Sequence, residues 1–184
     1  MNNPLRILQT LDHHLTAPVE LTLFGRAALA LGYAGSPAAF ATTQDVDAIL
    51  PLSWLAAADE NLDFWQAQQR TNAELEPEGL YITHLFRELE VILTPDWLAR
   101  RVPIQTGFQR LGTFRPATLD LVLTKMARGD ENDLADIRFL LRQEPLDAGQ
   151  LRAAFARARL PDVPEIQELF RTAQPKVLAL VASV

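Results

Sequence analysis

The sequence predicts an α/β (α+β) protein: strands and helices intermixed up to about residue 114, then helices alone. Three observations lead there. Two stretches with strand character, Val19–Phe24 and Asp45–Leu50, flank a short Ala/Leu-rich helix that follows Gly25. Two further extended runs, Leu80–Phe86 and Leu89–Leu93, come after a long helical stretch. Beyond Arg115 the pattern is helical, punctuated by Gly and Pro. The expected organisation is an α/β core over residues 1–114 and a helical C-terminal part over 115–184.

Leu5, Leu8, Leu11 and Leu15 recur at helical spacing, so residues 4–15 form the first helix. His13 and His14 sit at its end, where polar or cationic side chains are commonplace. Val19–Phe24 alternates as a half-buried strand does, and Ala27–Tyr33 is short and helix-prone until Gly35-Ser36-Pro37 breaks it. Asp45–Leu50 is the next strand, stopped by Pro51.

Ser53–Arg70 reads as one helix. Trp54, Leu55, Ala58, Leu62 and Trp65 make its apolar side, and Asp59, Glu60 and Asp63 face water. Glu76-Pro77-Glu78-Gly79 is a turn. Leu80–Phe86 and Leu89–Leu93 read as a hairpin around Arg87-Glu88, and Ile104–Phe114 adds an extended piece. Helices then cover 119–128, opened by Pro116 and stopped by Gly129, and 133–142, 151–159, 164–172 and 177–184.

The net charge of −6 argues against a general nucleic-acid binder, although 15 Arg and two Lys leave room for a local basic groove. Without cysteine there is no disulfide, thiolate metal site or cysteine nucleophile. No apolar run is long enough to span a membrane and the N-terminus lacks a signal pattern, so a soluble cytoplasmic protein is expected.

The chemistry concentrates between Leu21 and Leu50. Side chains alternate along a strand, so Asp45 and Asp47 share a face, roughly 6.5–7 Å apart. Two carboxylates at that spacing repel by about 2–3 kcal/mol at an effective dielectric near 20. A divalent cation between them removes that cost, and Mg²⁺ is the usual ion where phosphates are bound. The turn at Gly25 opens a helix whose backbone N–H groups and positive dipole end suit a phosphate. Each half alone is ordinary: Asp-x-Asp ends many surface strands, and many glycines only permit a turn. A second dense stretch, Leu121–Arg138, holds Lys125 in an apolar turn and an acidic run before the next helix. Read singly, Lys125 snorkels to solvent and the acids favour a helix N-terminus.

Taken in order, Leu23-Phe24-Gly25-Arg26 followed by Asp45-Val46-Asp47 resembles the nucleotidyltransferase superfamily of polymerase-beta-like fold. Lys125, Arg128, Asp133 and Asp136 match the Lys/Arg/Asp motif of abortive-infection-type nucleotidyltransferase toxins and their bacterial relatives, so the resemblance spans residues 20–142. It implies a small mixed sheet flanked by helices, and an Mg²⁺-dependent enzyme moving an NMP from an NTP to a hydroxyl. Asp45 and Asp47 would hold one or two Mg²⁺. Gly25, with Arg26 and Lys125, would take the phosphates, and Arg128, Asp133 and Asp136 would build the nucleotide pocket. The acceptor would be tRNA, a protein or a small molecule, and an antitoxin would be a partner. Arg26 stands where the family prefers Gly or Ser. The third acid expected of the family is assigned to Glu90, with Glu88 and His84 as alternatives. Without a third acid, the same resemblance implies a catalytically degenerate module that binds a nucleotide or a protein.

Overall fold

The computed structural model describes residues 2–57 and 61–182. Its backbone divides into two compact units, Met1–Arg87 with Arg101–Arg115, and Glu88–Arg100 with Pro116–Val184.

The first unit is built on a five-stranded mixed sheet. Its strands are β1 (Val19–Phe24), β2 (Asp45–Leu50), β3 (Tyr81–Arg87), β4 (Val102–Ile104) and β5 (Leu111–Arg115), in the order β3-β2-β1-β5-β4. β1 pairs antiparallel with β2 and parallel with β5, β2 pairs parallel with β3, and β4 pairs antiparallel with β5. Three helices pack on this sheet: α1 (Asn3–His14), α2 (Gly25–Gly32) and α4 (Leu62–Leu75), with a short α3 at Leu52–Ala56. Asn2 caps α1 by accepting the Leu5 N–H, and the apolar residues Ile7, Leu8 and Leu11 are fully buried. Leu21, Leu23, Val46, Ala48 and Ile82 supply the strand side of the same core.

Two loop closures depend on single carboxylates. Asp12 accepts the backbone N–H groups of Gln109, Arg110 and Leu111, tying α1 to the entry of β5. Asp63 accepts from the Thr16 N–H, the Thr16 hydroxyl and the Ala17 N–H, tying α4 to the α1–β1 turn. Asp63, expected to face water, stays accessible to it and makes these bonds as well. Leu62, expected on the apolar side, is 57% exposed; Phe64, Ala67, Thr71 and Leu75 are the residues that face the core. The expected positions of Ala58, Asp59 and Glu60 lie outside the described residues.

The hairpin expected around Arg87-Glu88 does not form. β3 pairs with β2, and Glu88–Glu90 is a 3-10 turn that begins the second unit. No turn-forming glycine or asparagine is present to reverse the chain there. Instead Trp97 Nε1 donates to Glu88 Oε2 at 2.6 Å and Arg159 Nη2 donates to it at 3.3 Å, within the second unit. Leu93 forms an isolated bridge with Arg159 rather than part of a strand.

The second unit is helical: α5 (Thr118–Lys125), α6 (Glu131–Gln143), α7 (Ala148–Arg157) and α8 (Pro164–Val181). Asp130 caps α6, and Asp147 with Gln150 forms a capping box on α7. The two helices expected at 164–172 and from 177 are one, with Pro175 inside it. The segment Glu88–Arg100 is anchored by Asp120 of α5, which is fully buried. It accepts from the Thr94 N–H and hydroxyl, each at 2.8 Å, and from Arg100 Nη2 at 2.9 Å. Burial pushes the Asp120 carboxyl up against the lowering effect of those donors. Among the described residues, no helix is long and apolar enough to cross a membrane.

Candidate active site

Asp45 and Asp47 lie where strand alternation puts them, on the face of β2 opposite the buried Val46, Ala48 and Leu50. Thr43 fixes the first: its hydroxyl donates to Asp45 Oδ1 at 2.7 Å. Asp47 is paired across the ladder with Phe24, the last residue of β1. The chain then turns at Gly25, with φ +62°, straight into α2. A Cβ on Gly25 would stand 2.8 Å from Asp47 Oδ2. Glycine therefore does two things here. It adopts a left-handed conformation, and it lets the start of the helix lie against the carboxylate. Arg26 follows in the first turn, exposed, its guanidinium 5.9 Å from the Phe40 ring centroid.

The register between β2 and β3 decides the third member. Val46 pairs with Ile82 and Ala48 with Leu85, so Thr83 and His84 both stand opposite Asp47. This is a β-bulge. Without the extra residue, His84 would pair with Ala48 and point to the core. With it, His84 joins the aspartate face: its Nδ1 is 3.2 Å from Asp47 Oδ1 and 3.8 Å from Asp45 Oδ2. One ligand-type atom from each of Asp45, Asp47 and His84 lies within 4.8 Å of the others. The His84 ring stacks on Phe86, and Phe86 meets Phe24 edge-on.

Glu90, expected on a strand beside the acid pair, is instead in the exposed 3-10 turn of the other unit. The sheet brings His84 to Asp45 and Asp47. Two adjacent polar residues, Thr83 and His84, interrupt the otherwise apolar run of β3, and both are exposed; that polar pair is the sequence signal for the bulge.

The three side chains fit a divalent cation. Bonds of about 2.1 Å allow ligand atoms on one ion to lie about 3–4.2 Å apart. The Nδ1 distances of 3.2 and 3.8 Å fall in that range, and the three ligand atoms lie within 4.8 Å of one another.

Lys125, Arg128, Asp133 and Asp136 form a second cluster, within the helical unit. Lys125 Nζ is 2.6 Å from Asp136 Oδ2 and 3.4 Å from Asp133 Oδ1. Arg128 grips Asp133 with Nε and Nη2, each at 3.1 Å. Lys125 and both aspartates are buried, whereas the Arg128 side chain is 70% exposed. Its hydrogen bond to Asp133 raises the Arg128 pKa further above its ordinary value. Two cations and two anions thus compensate one another, which is how buried charge is tolerated.

A family model described as "Nucleotidyltransferase of unknown function (DUF6036)" matches residues 5–169. The chain belongs to that family. The match takes in the sheet with its Asp45–Asp47–His84 group and the Lys125 cluster alike. No curated protein and no solved structure matches the chain.

Proposed function

We propose that this member of the family transfers a nucleoside monophosphate from an NTP to a hydroxyl acceptor, with a divalent metal held by Asp45, Asp47 and His84. The observation that carries the reading is the Gly25 turn set directly against the Asp47 carboxylate, beside a convergent ligand group. A metal ion bound there supplies charge neutralisation for the triphosphate and a lowered pKa for the acceptor hydroxyl.

The chain's own residues do the rest. The backbone at the start of α2 binds phosphate oxygens, and Arg26 adds an exposed cation beside it. The acceptor oxygen attacks the α-phosphorus, the bond to the bridging oxygen breaks, and pyrophosphate leaves; the hydroxyl proton passes to solvent. In the helical unit, Lys125, Arg128, Asp133 and Asp136 serve as a nucleotide-binding cluster. The aspartates hold the two cations in place, and Arg128 is the exposed donor. The acceptor class is tRNA, a protein or a small molecule. A toxin role with a cognate antitoxin follows only from the resemblance of the Lys125 motif.

Transfer of label from an α-labelled NTP by the pure protein, with metal present, is the test. Asp45→Asn and Asp47→Asn should each lower transfer by about 100-fold or more. Equal activity in both variants defeats the proposal. A second reading has one observation in its favour: no third carboxylate joins the group among the described residues. On that reading the protein binds nucleotide and metal without turnover, seen as calorimetric NTP binding with no label transferred.

A further inference from the structure

His84 differs from its neighbours in ligand chemistry. Asp45 and Asp47 offer hard oxygen atoms, which suit Mg²⁺. Imidazole nitrogen suits first-row transition ions better. We propose that His84 binds the metal directly through Nδ1 and makes the site selective for a transition ion such as Mn²⁺ over Mg²⁺. The inference rests on the reading of Asp45 and Asp47 as the metal-holding pair.

Three observations support it. The nitrogen turned towards both acids is one atom, Nδ1, at 3.2 Å from Asp47 and 3.8 Å from Asp45. The bulge that puts it there interrupts the β2–β3 ladder between Val46 and Ala48. Bulges of this kind re-aim side chains next to functional sites. The His–carboxylate contact is a small return for that interruption: the ring is 58% exposed, and such surface pairs add about 0–1 kcal/mol. Finally, the ring is oriented in advance by stacking on Phe86 at 5.8 Å and 21°, and Phe86 in turn is braced by Phe24 at 5.3 Å. The Thr83 hydroxyl, 3.2 Å from the same nitrogen, is the contact a bound ion would displace.

The experiment uses the full chain, with MnCl₂ and MgCl₂ alone as probes. Pulsed electron paramagnetic resonance of the Mn²⁺-loaded protein should show nitrogen modulation from a coordinated imidazole. His84→Gln should abolish that signal and weaken Mn²⁺ binding by about tenfold or more, the scale at which even outer-sphere partners of metal sites act. His84→Asp should also abolish it, while shifting the Mn²⁺-to-Mg²⁺ affinity ratio towards Mg²⁺ by about tenfold. Because the ring is exposed, His84→Gln should not change the unfolding midpoint measurably. No nitrogen coupling in the unsubstituted protein, or an unchanged affinity ratio in His84→Asp, overturns the proposal. Asp47→Asn separates the two readings: if Mn²⁺ binding survives it intact, the acid pair itself is not a metal site and the underlying reading fails.

Discussion

Gly25→Ala should damage the site more than the fold, and the geometry says by how much. At φ +62° an alanine carries the left-handed penalty of about 1–2 kcal/mol. The added Cβ also meets Asp47 Oδ2 at 2.8 Å, against about 3.4 Å for an ordinary contact, so the carboxylate must shift by roughly 0.6 Å. Gly79 is the matched control. It sits at φ +68°, but its nearest Cβ neighbour is Gln44 Nε2 at 3.8 Å. Both alanine variants should therefore lose about 1–2 kcal/mol in urea unfolding, a Tm decrease of about 2–8 °C. Only Gly25→Ala should also lose metal affinity, by about tenfold, because a metal ligand displaced by half an ångström cannot keep its bond length. Calorimetric titration with Mn²⁺ gives the second number. Equal Mn²⁺ affinity in the two variants would refute the claim that Gly25 is there for Asp47.

Acid should loosen the first unit through Asp12 and Asp63. Burial raises both carboxyls, but the backbone N–H donors on each, joined at Asp63 by the Thr16 hydroxyl, outweigh it, so both lie below their ordinary value of 3.8. Their stabilisation is complete above that value and is lost as pH falls through the depressed folded pKa, where the unfolded chain binds protons first. Urea midpoints between pH 6 and 3 should fall less steeply for Asp12→Asn; an unchanged slope contradicts this. Lys125→Met leaves the buried Asp136 without its ammonium and should cost about 3–5 kcal/mol in urea unfolding, with partial recovery in Lys125→Met/Asp136→Leu. A loss under 1 kcal/mol would show that the cluster does not hold the helical unit together. Asp120→Ala strands the Thr94 N–H and leaves the Arg100 guanidinium with Asp96 as its carboxylate partner, and amide exchange should quicken over 94–100 with the sheet unaffected.

The sequence by itself determined what short-range physics decides. Alternation put Asp45 and Asp47 on one face of a strand, and the glycine between β1 and α2 marked the turn beside them. Helical periodicity located α1, α5, α6 and α7, with their ends displaced by a few residues. Each of these depends on residues within a few positions of one another. Only the tertiary structure decided which strand lies beside β2 and in what register. The same Leu80–Phe86 run could fold back on its successor or pair with a strand much earlier in the chain, as Tyr81 does with Asp45, and local propensity is the same in both. Pairing with β2 placed the bulge at Thr83–His84, turned the imidazole to the aspartates and left Glu90 in a turn of the other unit. Long-range pairing also made loop ties of Asp12 and Asp63, because the N–H groups they accept from belong to distant segments.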